Sequence, residues 1–404
     1  MTRDEARARD AADPLRPYRD RFALPEGVIY LDGNSLGPLP RATANALADM
    51  AQRQWGDRLI RSWNEGWIDA PQRIGGKIAS LIGAHPDEVI VADSTSVNLF
   101  KLLVGALRHD PKRRTIVSET GNFPTDLHIA EGAVDCVPGA RLNAVARDNL
   151  AEAIDHDTAV TLLTHVHYKT GERYDMTRWT ALAHDAGALA LWDLSHSVGA
   201  IEVDLNGAGA DLAVGCGYKY LNGGPGAPAF LFVSRALQDG LASPLSGWMG
   251  HAAPFEFADA YTPAPGMTRW LAGTPPMLAM AGLEAGVDLW LDIDRAQVAA
   301  KSTALFDMLA AIGAELGLEC VSPAIPDERG SHISFRHPEA YALCQALIAR
   351  GVIGDFRDPD IVRFGLTPLY LGYEDVWRAG EILGEVLATK AYADPEFSKR
   401  NAVT

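Results

Sequence analysis

Two residues stand out for their chemistry: Lys219, in the stretch Asp211-Leu-Ala-Val-Gly-Cys-Gly-Tyr-Lys-Tyr-Leu-Asn-Gly-Gly-Pro-Gly226, and Asp193, in the apolar run Ala188-Leu-Ala-Leu-Trp-Asp-Leu-Ser-His-Ser197. A lysine set among small residues is suited to form a Schiff base. An aspartate ending a buried strand is suited to hold a pyridinium nitrogen. These are the two protein groups that pyridoxal phosphate chemistry needs most. A lone lysine is usually a solvated surface charge. Here the glycines on both sides argue against an exposed helix.

Other candidates gather around this pair. Ser94-Thr95-Ser96 follows an apolar run and precedes a helical pattern beginning at Val97. Hydroxyls there can cap the helix, and the same place binds a phosphate through free N–H groups and the helix dipole. Phe123, in Gly121-Asn-Phe-Pro-Thr-Asp126, offers a face to a flat ring or simply packs in a core. His196 supports Asp193 or the phosphate region, or is structural. Tyr218 is a phosphate ligand or proton donor. Trp248 and Thr274 lie in glycine-containing loops, and an indole N–H and a hydroxyl are both usable phosphate donors. Arg363 carries a planar fork that matches a carboxylate, or else makes a surface ion pair.

The elements that must position these groups are short apolar runs alternating with helical patterns. Strands are expected at Glu88–Ala92, Thr115–Ser118, Ala159–Val166, Ala188–Leu194, Asp211–Gly215 and Ala229–Val233, with helices such as Val97–Leu107 and Thr177–Ala186 between them. That alternation predicts an α/β domain with a mostly parallel sheet flanked by helices. The candidates then fall just after strands, where such sheets bind ligands. A long helical region over Ala279–Gly313 leads into a smaller α+β C-terminal domain with helices at Pro338–Arg350 and Glu374–Lys390. The expected division is a segment 1–45 packing across domains, a large domain 46–285 and a small domain 286–404.

A chain of 404 residues with a net charge of −16 is not suited to nucleic acid or anionic membrane surfaces. The charged N-terminus is unlike a secretory signal, and no run approaches a membrane span. Four scattered cysteines, Cys136, Cys216, Cys320 and Cys344, make no metal or disulfide framework and suit the cytoplasm.

Seven motifs in order resemble the kynureninase family, within the fold-type I pyridoxal phosphate enzymes of the aminotransferase class V group. They are Tyr30-Leu-Asp-Gly-Asn-Ser-Leu-Gly37, Ser96-Val-Asn-Leu99, Phe123-Pro-Thr-Asp126, Asp193-Leu-Ser-His196, Gly217-Tyr-Lys-Tyr-Leu-Asn-Gly223, Gly247-Trp-Met-Gly250 and Arg363-Phe-Gly-Leu-Thr-Pro-Leu-Tyr370. The resemblance implies pyridoxal 5'-phosphate held as a Schiff base by Lys219, with Asp193 at the ring nitrogen and Phe123 stacked on the ring. It implies phosphate contacts from Thr95, Ser96 and Tyr218, with Pro124, Thr125 and Asp126 nearby, and Thr164 and His196 beside the ring. It implies a homodimer sharing its active sites, Trp248 and Thr274 reaching in from the partner; some members carry asparagine where Thr274 stands. Arg363 would take the substrate carboxylate, with Ser35 near the substrate. The implied reaction is hydrolysis of L-kynurenine, or its 3-hydroxy form, to an anthranilate and L-alanine, with Lys219, Asp193 and Tyr218 catalytic. Aromatic substrate contacts near Trp63–Trp67 are expected without individual assignment. Another class V activity, a cysteine desulfurase or an aminotransferase, stays open; a desulfurase needs a reactive loop cysteine, and neither Cys320 nor Cys344 sits in such a loop.

Overall fold

The computed structural model describes residues 2–400; Met1 and residues 401–404, the outer ends of the expected segments, lie outside the described residues. The chain divides into two units. One comprises Met1–Ala42, Val166–Arg173 and Asp292–Thr404, the other Thr43–His165 and Tyr174–Leu291. We call them the discontinuous unit and the sheet unit.

The sheet unit is built on seven strands: β1 (Val89–Val91), β2 (Thr115–Glu119), β3 (Arg141–Val145), β4 (Thr158–Thr164), β5 (Leu189–Asp193), β6 (Leu212–Gly215) and β7 (Phe230–Val233). Their spatial order is β1-β7-β6-β5-β4-β2-β3. The run β6-β5-β4-β2-β3 is parallel, and β7 pairs antiparallel with both β6 and β1. Every residue of β4 is buried, which explains its continuous apolar reading. All six expected strands form, each within two residues of the expected ends. The sequence reading missed β3, an edge strand of half-exposed residues whose polar Arg141 and Asn143 mask the strand pattern.

Helix α1 (Thr95–His109) starts two residues before the expected Val97, with Ser94 as its cap: Ser94 Oγ accepts from Val97 N at 3.3 Å. Helix α2 (Pro124–Asp135) opens with proline at its first position, where no N–H is needed. The region expected as one long helix is two, Met277–Leu291 and Arg295–Glu315. The break carries no glycine or proline. Asp294 makes it, its carboxylate accepting from Ala296 N at 2.9 Å, and it coincides with the boundary between units.

In the discontinuous unit, four antiparallel strands lie in the order Asp355–Arg357, Ile361–Gly365, His332–Arg336, Glu319–Cys320. Ile29–Tyr30 pairs in parallel with Val352–Ile353. Helix Arg3–Ala12 is fastened to helix Tyr373–Thr389, because Asp10 accepts from the first N–H groups of that helix, Tyr373 N at 2.6 Å and Glu374 N at 2.9 Å. The excursion Val166–Arg173 joins this unit through Gly330 N to Gly171 O and Arg173 N to Glu328 O. No helix among the described residues is long and apolar enough to cross a membrane.

Candidate active site

The parallel register fixes the first part of the site. Thr164 at the end of β4 is the direct partner of Asp193 at the end of β5, and Asp193 is the partner of Val214 in β6. Lys219 follows β6 by four residues. Three carboxyl ends of adjacent strands therefore deliver Thr164, Asp193 and Lys219 to one edge of the sheet, the usual ligand edge of such sheets. Gly215 and Gly217 allow that turn: a Cβ on Gly215 would stand 2.4 Å from the Phe230 ring, and one on Gly217 2.4 Å from Pro228 O.

Lys219 Nζ lies 3.0 Å from His196 Nε2. It also lies 5.8 Å from the centre of the Phe123 ring and 5.9 Å from that of Tyr218. Asp193 is buried and accepts from Ser195 N at 2.7 Å. Beneath it Asp126, also buried, accepts from Thr164 Oγ1 at 3.2 Å, and Thr164 donates as well to Asn122 Oδ1. Asn122 Oδ1 in turn accepts from Phe123 N at 2.7 Å, so one amide sets both the aromatic turn and the Thr164 hydroxyl. Burial pushes the carboxyls of Asp193 and Asp126 up, and for Asp126 the charge of Asp193 adds to it. A cationic N–H placed against Asp193 would supply the charge that burial denies it.

The phosphate candidates stand at the head of α1. Among the described residues no backbone partner accepts from Thr95 N or Ser96 N, so the first two N–H groups of a 15-residue helix are available to an anion. The loop before them is held from below. Asp93 has φ +46°. Its carboxylate pairs at 2.7 Å with the fully buried Lys101, whose Nζ also donates to Trp270 O at 2.8 Å. These residues fit pyridoxal phosphate: an amine, a buried carboxylate for the ring nitrogen, an aromatic face and an open helix start.

Trp248 and Thr274 are exposed in the single chain; Trp248 packs edge-on against Phe255 with ring centres 5.9 Å apart. Trp63 and Trp67 pack edge-on at 5.6 Å, and Trp67 Nε1 donates to Gln54 Oε1 at 2.7 Å. Pro124 and Thr125 form the first turn of α2.

Arg363 and Ser35 belong to the discontinuous unit and meet there. Arg363 Nε donates to Asp355 Oδ1 at 2.8 Å, Nη2 to Asp355 Oδ2 and, at 3.0 Å, to Ser35 Oγ, and Nη1 to Tyr168 O. Ser35 Oγ donates to Asp355 Oδ2 at 2.6 Å. Arg357 Nη2 reaches Asp355 Oδ2 at 2.6 Å and Ser35 Oγ at 3.1 Å. Asp32 completes the cluster, its carboxyl pushed up to about 7 by burial and by the charge of Asp355; the two guanidinium groups hold Asp355 well below the usual carboxylate range despite its burial. The sequence reading missed Asp355, Arg357, Asn122 and Lys101. Asp32 was visible inside the Tyr30–Gly37 motif but was given no role.

Neither of the two cysteines weighed against a desulfurase lies in a loop. Cys344 is buried in helix Ala340–Ile348 and its thiol is pushed far up by burial; burial also raises Cys320, on a strand rather than a loop.

The model of the kynureninase C-terminal domain matches residues 298–383. Kynureninase of Pseudomonas fluorescens is 52% identical over 415 residues, covering all of both chains, and that of Burkholderia mallei strain SAVP1 is 51% identical over 414 residues, again all of both. Among solved structures, the apo cysteine desulfurase of Thermococcus onnurineus NA1 superposes with a TM-score of 0.79 at 19% identity, covering 92% of this chain and 98% of that one. The Escherichia coli cysteine desulfurase CsdA gives 0.77 at 19%, covering 93% and 98%. At such identity the likeness is one of fold, the fold-type I architecture expected from the motifs.

Proposed function

The chain belongs to the kynureninase family, and from that premise we propose that it hydrolyses L-kynurenine to anthranilate and L-alanine, as a step in tryptophan breakdown. The observation that carries the reading is the identity of about half the residues along the full length of both chains, against 19% for the desulfurases. The geometry at Lys219 and Asp193 supports it.

Pyridoxal phosphate, when bound, supplies an electron-poor ring that stabilises negative charge at the substrate Cα. In this reading Lys219 Nζ anchors it, the N–H groups of Thr95 and Ser96 with Tyr218 take its phosphate, Phe123 covers one face, and Asp193 keeps its ring nitrogen protonated. Thr125, Asp126, Thr164 and His196 line the same place. Lys219 Nζ then removes the proton from the substrate Cα, and His196, 3.0 Å away, holds that amine in position. Arg363, with Ser35, receives the substrate carboxylate. Water adds to the γ-carbonyl carbon, and the Cβ–Cγ bond breaks. The oxygen of water stays on the acyl carbon as the anthranilate carboxylate, Cβ takes a proton, from Tyr218 in this reading, to become the alanine methyl, and Lys219 returns a proton to Cα.

The proposal extends to a cytoplasmic homodimer in which the exposed Trp248 and Thr274 reach the partner's cofactor, and to a supply toward NAD biosynthesis when the substrate is 3-hydroxykynurenine. The test is to mix the protein with pyridoxal phosphate and L-kynurenine and follow anthranilate fluorescence with alanine assayed in parallel. Both products should appear in equal amounts; cofactor absorbance without anthranilate would refute the reaction and return the chain to the other class V activities.

A further inference from the structure

Arg363 was expected to take a carboxylate, yet its surroundings limit what it can offer. It is 1% exposed, and four of its five N–H groups already donate to Asp355, Ser35 and Tyr168. Its Nε and Nη2 edge, the one suited to side-on recognition, is filled by Asp355. Arg357 is placed differently. It stands on the adjacent strand, two residues from Asp355, and its side chain is 33% exposed. Among the described residues only its Nη2 is bonded, to Asp355 and Ser35; its Nε is buried without a partner there, and no bond is made from Nη1.

The neighbours add to the contrast. Asn34 is fully buried, and among the described residues neither its Oδ1 and Nδ2 nor Thr367 Oγ1 has a partner. Such groups are costly unless something satisfies them. The charges are also unbalanced. Two guanidinium groups face one ionised carboxylate, Asp355, while Asp32 stays protonated up to about 7. Below about pH 7 the cluster carries an excess positive charge, and it holds N–H groups that find no partner among the described residues, which is the description of an anion receptor.

We infer that Arg357 is a second substrate-binding residue, donating with Arg363 to the α-carboxylate of the amino acid, while Asp355 is the positioning residue that holds both guanidinium groups at Ser35. This rests on the reading of Arg363 given above and deepens it. Arg363 is the fixed member of the clamp and Arg357 the reachable one.

The experiment uses the cofactor-loaded wild type, Arg357→Gln and Arg357→Lys. Dissociation constants for L-alanine and for L-alaninamide, which lacks the carboxylate, are read from the absorbance change of the loaded protein. KM and kcat are read from L-kynurenine turnover. Loss of a charge-assisted contact should weaken L-alanine binding and raise KM by about 10- to 100-fold in Arg357→Gln, with kcat within about threefold. Arg357→Lys, which keeps the charge and loses the fork, should lie between. Alaninamide should bind all three proteins alike. Unchanged alanine binding in Arg357→Gln overturns the inference, and so does an equal loss for alaninamide, which marks a general disturbance. A wild type that prefers alanine to alaninamide but leaves kynurenine intact refutes the reaction alone, and the alanine comparison among the variants still decides Arg357.

Discussion

Asp32→Asn should make the protein more stable above neutral pH, although it removes a buried charged group from a charged cluster. Asp32 is mostly buried beside Asp355, and its carboxyl is raised from 3.8 to about 7. The native state therefore binds a proton that the unfolded chain releases near 4. Between those values the native state holds more protons, so stability falls as pH rises and the loss is complete above about 7. At about 1.36 kcal/mol for each tenfold change, the full loss is on the order of 4 kcal/mol, and about 1 kcal/mol of it has accrued by pH 4.5. Asparagine mimics the protonated form, since its Nδ2 can donate where the acid proton did, and it has no proton to lose. The variant should thus gain up to about 4 kcal/mol over wild type at pH 8 and about 1 kcal/mol at pH 4.5. The assay is thermal unfolding of the cofactor-free protein at both pH values, where a unit of this size shifts by about 2–4 °C per kcal/mol. A variant less stable than wild type at pH 8, or a difference that does not grow with pH, would refute the reasoning. Tyr30, Ser35, Cys344, Asp355, Arg357 and Arg363 all act on or feel this group, so the same scan in Asp355→Asn should show a different profile.

Lys219→Ala should abolish the visible absorbance of a lysine-linked cofactor and lower turnover by about 10²–10⁴-fold or more; an unchanged spectrum would move the anchor elsewhere. Asp193→Asn, which keeps the shape and removes the charge, should weaken cofactor binding by about 10- to 100-fold and slow Cα proton exchange, and normal values for both would count against its role. At the buried pair, Asp93→Asn should cost about 3–5 kcal/mol by stranding the fully buried Lys101 ammonium. Lys101→Met should cost only about 1–3 kcal/mol, for the lost donor to Trp270 O, because Asp93 is 33% exposed and can hydrate. Urea midpoints in the opposite order would overturn that account.

The sheet unit was readable because all its strands but β3 are buried and so appear as unbroken apolar runs. The register then carried Thr164, Asp193 and Lys219 to one edge without further information. Local chemistry decided what was misjudged. Of the three hydroxyls Ser94 is the cap of α1, which starts two residues earlier than expected, so Thr95 and Ser96 fall inside its first turn. A single aspartate breaks the region Ala279–Gly313 through a cap, and no helix-breaking residue announces it. Lys101 sits in an amphipathic stretch where a lysine normally reads as solvent-facing; only the fold shows that it is enclosed. Asp355 and Arg357 left no signal because their strand has three residues, too few for an alternating pattern. Asp355 matters because it pairs with Arg363 across the sheet, and Arg357 because it bonds to Asp355 and Ser35; the first is a contact between strands and the last spans more than three hundred residues, so no local window contains them.

The discontinuous unit takes its residues from both ends of the chain and from Val166–Arg173 in the middle. A ribosome makes the sheet unit, up to Leu291, before most of the other unit exists. The Ser35 side of the carboxylate cluster is synthesised early and waits for Asp355, Arg357 and Arg363, more than three hundred residues later. A nascent chain halted near residue 330 can complete the sheet that carries Lys219 and still lack every arginine of that cluster. Gene fusions and chimaeras meet the same constraint: exchanging the C-terminal portion alone would leave Tyr168 O, the acceptor for Arg363, in a segment inherited from the other parent.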